Sequence, residues 1–140
     1  ADCPWERMVF KRFSNEGTRD DRDSYCLEVE KSVVAECCAQ QFNEAERPAR
    51  RLEFLVPCMI RTDRGAHYNM EEVLPLSSDR QMTKFNDNKG IWVHSVFRPE
   101  LGNFTEWVYR DSNEYILVAD LQGVENNGRL KLTAPAILCS

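Results

Sequence analysis

The sequence predicts an α+β domain in which an antiparallel sheet of four or more strands packs against one main helix, as a disulfide-braced two-layer sandwich. Three observations predict this class. The C-terminal third contains four β-rich runs separated by turn residues, apolar residues after position 32 recur at helical spacing, and the six cysteines are an even number. The length of 140 residues fits one domain over residues 1–140.

Two strands and a loop are predicted before the helix. Apolar and basic residues alternate imperfectly from Trp5 to Phe13, which favours a strand. Ser14 to Asp23 is polar throughout and ends in five consecutive charged residues, which is typical of a solvated loop. Tyr25 to Glu30 has period two and predicts a half-exposed strand, with a helix that begins at Ser24 as the alternative.

The main helix is predicted from Val33 to Glu44, with Ser32 as its N-cap. It is expected to end before Pro48, because proline disfavours the α conformation of the residue that precedes it. Leu52 to Val56 then alternates and predicts a strand, which Cys58 to Ile60 continue irregularly.

A long polar segment follows from Arg61 to Lys89. It exceeds the roughly 12–15 residues that are usual for a structureless loop, and loops of this length are often functional. We therefore expect partner specificity to lie in this segment. Its candidate interaction surface consists of Arg61, Arg64, His67, Tyr68, Arg80 and Lys84.

The C-terminal third predicts an antiparallel meander. Its four runs are Gly90–Arg98, Phe104–Arg110, Glu114–Leu121 and Arg129–Thr133. The turns between them are supplied by Pro99 with Gly102, by Asp111 to Asn113, and by Asn126-Asn127-Gly128. The last of these contains the Asn-Gly pair that favours a type I′ hairpin. His94 lies among apolar residues and is predicted to be structural.

The cysteines predict the compartment. They stand at Cys3, Cys26, Cys37, Cys38, Cys58 and Cys139, and no two form a C-x-x-C pair. We therefore expect three disulfides and a secreted, extracellular protein in which Ala1 follows a processing site. Adjacent cysteines rarely reach disulfide geometry. The favoured pairing is Cys3–Cys139, with Cys26 and Cys58 dividing Cys37 and Cys38 between them.

No motif for catalysis, for a cofactor or for a metal is recognisable in the sequence. The net charge of −5 argues against a nucleic-acid or membrane partner, so we expect neither, and we expect a monomer. Asn103-Phe104-Thr105 is a glycosylation sequon, which makes Asn103 a candidate acceptor.

The N-terminal Ala-Asp-Cys-Pro, the adjacent Cys37 and Cys38 on a predicted helix, and the near-terminal Cys139 resemble the small cysteine-rich effectors that filamentous fungi secrete. The layout is similar to the Leptosphaeria avirulence-suppressing structural family. This resemblance implies a non-enzymatic virulence or avirulence protein of the apoplast. It would bind host plant proteins and be recognised by, or hide from, immune receptors.

Two other functions stay open at this point. One is a secreted hydrolase, such as a ribonuclease or glycosidase, whose site is assembled from dispersed residues. The other is a carrier of small apolar ligands. An enzyme requires a cleft with converging titratable groups, and a carrier requires an enclosed apolar cavity.

Overall fold

The computed structural model describes residues 8–13, 22–74 and 82–140. Within these ranges the chain forms two α-helices and nine strands, and the strands are arranged in three sheets. The helices are α1 (Arg22–Glu46) and α2 (Pro99–Asp111). The strands are β1 (Met8–Lys11), β2 (Arg51–Phe54), β3 (Cys58–Arg61), β4 (His67–Glu72), β5 (Thr83–Lys84), β6 (Ile116–Ala119), β7 (Gln122–Asn126), β8 (Arg129–Leu132) and β9 (Ala136–Cys139).

The helix α1 runs unbroken for 25 residues, so the strand predicted from Tyr25 to Glu30 is wrong and the alternative helix is correct. Six alternating residues are too few to distinguish a strand from part of a helix, whereas the burial pattern of the whole segment is helical. Tyr25, Ser32 and Ala39 are seven residues apart and all are buried on one face. Ser32 is therefore an interior residue, and its hydroxyl donates to the carbonyl of Glu28 at 3.0 Å.

The predicted end of the helix is confirmed. α1 stops at Glu46, two residues before Pro48. Arg47 adopts a positive φ of 45°, and its amide donates to the carbonyl of Asn43 at 3.1 Å. The Asn43 side chain then exchanges two hydrogen bonds with the backbone of Leu52, at 2.7 and 3.0 Å. These bonds fix the start of β2 against the helix.

A three-stranded antiparallel sheet has the order β1-β4-β3. Its first strand confirms the predicted strand near Trp5 to Phe13 over Met8 to Lys11, whereas Trp5 lies outside the described residues. Its central strand, β4, lies inside the segment that was predicted to be one long loop, so that prediction is wrong. The pattern was missed because His67 to Glu72 is a polar strand, buried by its neighbours and by α1.

A four-stranded sheet has the order β2-β8-β7-β5, in which β2 and β8 are parallel and the other pairs are antiparallel. The predicted turn at Asn126 to Gly128 is confirmed. It joins β7 to β8, and Asn127 and Gly128 have φ values of 50° and 73°, as a type I′ turn requires. The remaining two strands, β6 and β9, pair with each other.

The predicted meander is wrong: two of its four runs are not strands, and the other two contain β6 and β8, which belong to different sheets. Gly90 to Arg98 contains a short 3₁₀ helix at His94–Val96, and Phe104 to Arg110 belongs to α2. Aromatic and β-branched residues suggested strands, but Leu101, Phe104 and Val108 bury one helical face. Pro99 at the first helical position completes the signal for a helix start.

The main core lies between α1, α2 and the four-stranded sheet. Phe42 of α1 contacts Phe104 of α2 edge to face, with ring centroids 5.5 Å apart, and Phe104 also contacts Phe54 of β2 at 5.8 Å. Leu130 and Leu132 of β8 close this cluster from the sheet. The α+β class is thus correct, although the architecture is three sheets with two helices and not a two-layer sandwich.

The predicted disulfides are wrong for the cysteines that the structure describes. Cys26, Cys37, Cys38, Cys58 and Cys139 are free thiols, and Cys3 lies outside the described residues. The favoured Cys3–Cys139 bridge is excluded by the free thiol of Cys139. An unbroken α1 also separates Cys26 from Cys37 by about 16 Å, well beyond bridging distance.

Candidate functional site

A cavity of about 250 Å³ lies where the three-stranded sheet, the first half of α1 and the segment after β8 meet. We call it the Lys11 cavity. Its wall combines charged and aromatic side chains, and the residues that carry the argument below are Lys11, Arg12, Tyr25, Glu28, Glu71 and Ala134. The cavity is therefore polar at the end of β1 and closed below by the helix.

An ion pair between Lys11 and Glu71 dominates this cavity. Lys11 is paired across the sheet with Asn69, and Val9 with Glu71, so Lys11 and Glu71 are diagonal neighbours on one face. The Glu71 carboxylate is buried, whereas the Lys11 side chain is 44% exposed. A buried carboxylate thus holds a lysine whose ammonium group lies at an accessible cavity.

Thr133 completes the cluster from the four-stranded sheet. Its hydroxyl donates to Glu71 Oε1 at 2.9 Å and accepts a hydrogen bond from Lys11 Nζ at 3.4 Å. Thr133 is itself buried, and its amide donates to the carbonyl of Gln122 at 2.9 Å. Three side chains from two sheets therefore converge on one point.

The lower wall of the cavity is fixed by Tyr25. The amide of Phe13 donates to the Tyr25 hydroxyl at 3.1 Å, and Asn69 Nδ2 donates to the Tyr25 carbonyl at 3.3 Å. The Tyr25 ring also packs against the ring of Phe13 at 4.7 Å. These contacts attach α1 to both β1 and β4 and hold the cavity open between them.

Ala134, which lines the cavity next to Thr133, has a φ of 48°. This left-handed conformation is uncommon for a residue with a Cβ atom unless it is Asn or Asp. Backbone strain of this kind tends to accumulate at functional sites. The chain therefore turns sharply where it leaves β8 and enters the cavity wall.

A second polar cluster lies along the adjoining edge of the four-stranded sheet. Lys84 Nζ and Asp120 Oδ1 form an ion pair at 3.0 Å, and the Asp120 amide donates to the carbonyl of Asp87 at 3.0 Å. Hydrogen bonds from the amides of Ile91 and Lys89 lower the pKa of Asp87. Lys84 is paired with Gln122 in the sheet, and the Gln122 carbonyl accepts a hydrogen bond from the amide of Thr133. This edge of the sheet is therefore connected to the Lys11 cluster.

A third cluster joins the start of β2, the start of α2 and the β7–β8 hairpin. Arg50 binds Glu100 at 2.9 Å and Glu125 at 2.8 Å, and Arg98 binds the other oxygen of Glu125 at 3.1 Å. The Arg98 hydrogen bond, followed by that of Arg50, lowers the pKa of Glu125. This cluster is more exposed to solvent than the Lys11 cluster.

Beside that cluster, a cavity of about 490 Å³ separates the end of α1 from α2. Phe42 and Trp107 form its apolar side, and Glu46 and Glu106 form part of its polar side. Glu106 is paired with Arg110 on the next turn of α2. We call this space the Trp107 cavity.

The predicted interaction residues are only partly brought together. Arg61 pairs with His67 across the β3–β4 hairpin, Tyr68 lies on the same hairpin, and Arg64 is in its exposed turn. Lys84 is on another sheet, and Arg80 lies outside the described residues. That these residues bind a partner stays a prediction.

His94 and Asn103 do not occupy the environments that were predicted. His94 begins the 3₁₀ helix and is exposed, so it is not a histidine of a buried strand. Asn103 lies on the exposed face of α2 and lines the Trp107 cavity, so it is not in a turn. Glycosylation of Asn103 stays a prediction.

Over residues 8–13, 22–74 and 82–140, no group of three or more His, Cys, Asp or Glu side chains is arranged to hold a metal ion. Neither of the two helices in these ranges has the length and apolar composition that a membrane span needs.

The sequence profile of the Alpha-kinase family matches residues 2–140. The chain belongs to the alpha-kinase family. It is 30% identical to Myosin heavy chain kinase B of Dictyostelium discoideum over 104 residues, which are 74% of this chain and 14% of that protein. It is 26% identical to Myosin heavy chain kinase A of the same organism over 126 residues, which are 86% of this chain and 11% of that protein.

The fold of the chain agrees with solved alpha-kinase structures. An alpha kinase from Entamoeba histolytica matches with a TM-score of 0.78 and 24% identity, over 93% of this chain and 54% of that one. The alpha-kinase domain of Myosin heavy chain kinase A in complex with ADP matches with a TM-score of 0.75 and 25% identity, over 93% and 50%. The chain therefore spans about half the length of these solved kinase chains.

Membership of this family overturns the resemblance to fungal effectors. The prediction of a non-enzymatic protein is wrong, because the family and its solved members are kinases. The hydrolase alternative is not supported either. The predicted host proteins and immune receptors have no basis once the resemblance fails. The prediction of secretion is also wrong, because it depended on that resemblance and on disulfides that the described cysteines do not form.

Sequence reasoning missed the residues that form the Lys11 cluster. Lys11 and Glu71 were considered only as members of a predicted strand and a predicted loop, and Thr133 only as the end of a strand. They are far apart in the chain, since Glu71 and Thr133 are separated by 62 positions. The available signal was a lysine at the end of the otherwise apolar strand Met8 to Lys11. Such a signal is weak when the residues that surround the lysine in the fold are unknown.

Proposed function

We propose that this chain forms the nucleotide-binding part of a protein kinase domain, in which the Lys11 cavity holds the phosphates of ATP for transfer of the γ-phosphoryl group to a protein hydroxyl. The observation that carries the proposal is the Lys11 ammonium group at an accessible cavity, where a buried carboxylate holds it. Lysine is a common ligand of phosphate, which it binds as a point charge. Solved structures of the Myosin heavy chain kinase A domain contain ADP, AMP-PNP and adenosine.

The cavity is lined by two cations and two carboxylates, and its cations can bind an anion because one of the carboxylates, Glu28, is already paired with Lys31. Lys11 and Arg12 are consecutive cations at the end of β1, and both line the cavity. Arg12 extends over the ring of Tyr68, with its guanidinium carbon 5.9 Å from the centroid. A phosphate that enters the cavity would share the Lys11 ammonium group with Glu71, as kinases commonly do with a lysine that also contacts a carboxylate.

The aromatic and apolar part of the cavity fits a nucleoside. Tyr25 and Phe13, whose rings pack against each other, both line the cavity. A cavity with convergent polar groups at one end and apolar surface at the other is typical of small-molecule sites. The arrangement supports a ligand that combines a flat base with a polyanion.

Calorimetric titration of the purified protein with ATP and with adenosine in a magnesium buffer tests this proposal. Lys11→Met should weaken ATP binding at least about ten-fold, because it removes the cation, and should leave adenosine binding within about two-fold. Lys89→Met is the matched control, since Lys89 is exposed in a turn away from the cavity. No ATP binding by the unmodified protein, or equal loss in both variants, would refute the proposal.

Phosphoryl transfer is tested separately with radiolabelled ATP. Myosin heavy chain is named in the relatives, so a myosin heavy-chain fragment is the first acceptor to use. We expect label to enter the acceptor with the unmodified protein and not with Lys11→Met. Tight ATP binding without any transfer would restrict the proposal to nucleotide binding.

A further inference from the structure

The Lys11 cluster contains one member whose chemistry the proposed function does not use. Thr133 carries no charge and is buried, yet its hydroxyl contacts both members of the ion pair. A buried hydroxyl that merely required a partner would be satisfied by one acceptor. The geometry gives Thr133 a carboxylate to donate to and an ammonium group to accept from.

The backbone fixes Thr133 from the opposite side. Its amide binds the carbonyl of Gln122, so it continues the β7–β8 ladder by one residue. The ladder is unusually close at this point, because a Cβ atom built on Gly123 would lie 1.9 Å from the carbonyl oxygen of Lys131. The hydroxyl of Thr133 is therefore presented by a tightly packed strand pair and not by a flexible loop.

Lys11 needs such a fixed neighbour more than most residues. A lysine side chain has many rotamers and loses much of this freedom when it is held in one position. Groups that are already held before a ligand arrives do not incur that cost during binding. Glu71 can hold Lys11 only if the carboxylate is itself held, and Thr133 is the hydroxyl that donates to it.

We propose that Thr133 is a positioning residue for nucleotide binding, which acts through Glu71 and Lys11 and not through contact with the base. The proposal rests on the proposed function of the Lys11 cavity. It adds a residue that directly follows β8 of the four-stranded sheet to an ion pair whose two members, Lys11 and Glu71, come from the three-stranded sheet. The phosphates of ATP would thus be bound by a lysine whose orientation depends on both sheets.

The structure provides a matched control for this coupling. Lys131 also links the two sheets, since its Nζ lies 3.3 Å from Glu72 Oε1, but that pair involves an exposed carboxylate outside the Lys11 cavity. Lys131→Met therefore breaks a link between the sheets without touching Lys11. Thr133→Ser keeps the hydroxyl and loses only a methyl group.

Affinities for ATP and adenosine are measured by calorimetry for the unmodified protein and for Thr133→Val, Thr133→Ser, Lys131→Met and Lys11→Met. Thr133→Val should weaken ATP binding about ten-fold, since hydrogen bonds to charged groups are the strong ones, and should change adenosine binding by less than about two-fold. Thr133→Ser should restore ATP binding to within about three-fold of the unmodified protein. Lys131→Met should leave the ratio of the two affinities unchanged.

The outcomes separate the two proposals. If Lys11→Met loses ATP but Thr133→Val keeps the unmodified ratio, the role of Thr133 is refuted while the proposed function stands. The role of Thr133 is also refuted if Lys131→Met changes the ratio of the ATP and adenosine affinities as much as Thr133→Val does, or if Thr133→Ser does not restore ATP binding. If the unmodified protein does not bind ATP, both proposals fail. Should Thr133→Val lose adenosine binding and its folded structure, Thr133→Ala replaces it in the same assay with the same expected ratio.

Discussion

The Lys11 cluster and the Arg50 cluster are both networks of ion pairs between separate elements, but they lie in opposite environments. The Lys11 cluster is centred on Glu71, which is 7% exposed, and it adjoins a cavity. The Arg50 cluster is centred on Glu125, whose side chain is 37% exposed. A buried carboxylate is costly unless it is paired, whereas exposed pairs contribute little to stability. Breaking the Lys11 cluster should therefore cost more stability than breaking the exposed pairs of the Arg50 cluster.

The largest effect on stability is expected from breaking the buried pair. Lys11→Met leaves the Glu71 carboxylate with the Thr133 hydroxyl as its remaining partner in the cluster. Because the lysine is half exposed, we expect a loss of about 2 kcal/mol in the free energy of unfolding, near the lower end of the range for a broken charged pair. Urea unfolding followed by circular dichroism measures this loss. A variant as stable as the unmodified protein would contradict the contribution of this ion pair to stability.

A smaller effect is expected from the exposed cluster. Arg98→Met removes the bond to the exposed carboxylate of Glu125, and we expect the melting temperature to fall by about 2 °C or less. The same scan in 1 M salt should abolish this difference, because the Debye length is then about 3 Å. The loss in Lys11→Met should persist in that salt. Equal salt sensitivity of the two variants would remove the distinction between the clusters.

The pH dependence of stability provides a further test of the Arg50 cluster. Arg98 and Arg50 lower the pKa of Glu125 in the folded chain below its ordinary value of 4.5. A carboxylate with a lowered folded pKa contributes stability above its unfolded pKa and loses it as the pH falls through the folded value. The stability difference between the unmodified protein and Glu125→Gln should therefore be constant at neutral pH and disappear below pH 4.5. Thermal scans from pH 7 to pH 3 measure it, and a difference that grows on acidification would contradict the lowered pKa.

The smallest effect concerns the strained residue of the cavity wall. Ala134→Gly removes the Cβ atom from a position with positive φ, and part of that gain is offset by the greater freedom of glycine in the unfolded chain. We expect a stabilisation of about 0.5 kcal/mol, measured by urea unfolding. A destabilised variant would indicate that the Ala134 methyl group has packing contacts that outweigh the strain.

Local patterns were sufficient for some elements of the fold. The hairpin at Asn127 and Gly128 was predicted correctly because a type I′ turn depends on two adjacent residues. The end of α1 before Pro48 was predicted for a similar reason. Such features need no knowledge of distant parts of the chain.

Other elements depended on tertiary packing and were misread. The segment Phe104 to Arg110 is rich in residues that favour strands, but Phe104 and Val108 are buried as one face of α2 against β6 and α1. The central strand β4 is polar in composition although two neighbouring strands and a helix bury it. Composition alone favours the wrong structure in both places.

The candidate site was the least predictable part. The Nζ of Lys11 and the hydroxyl of Thr133 are 122 positions apart in the chain, and they meet only because two sheets pack together. The cysteine count pointed strongly to another class of protein, although the described cysteines form no bridge. A single sequence gives no measure of which lysine among its basic residues faces a cavity.

The unbroken course of α1 has a mechanical consequence. Tyr25 and Glu28 line the Lys11 cavity, whereas Phe42 and Glu46 line the Trp107 cavity, about 27 Å further along the same axis from Glu28 to Glu46. With no proline or glycine between them, the intervening turns behave as one stiff rod. A tilt of the rod that widens one cavity must displace the wall of the other, so the two spaces cannot change shape independently.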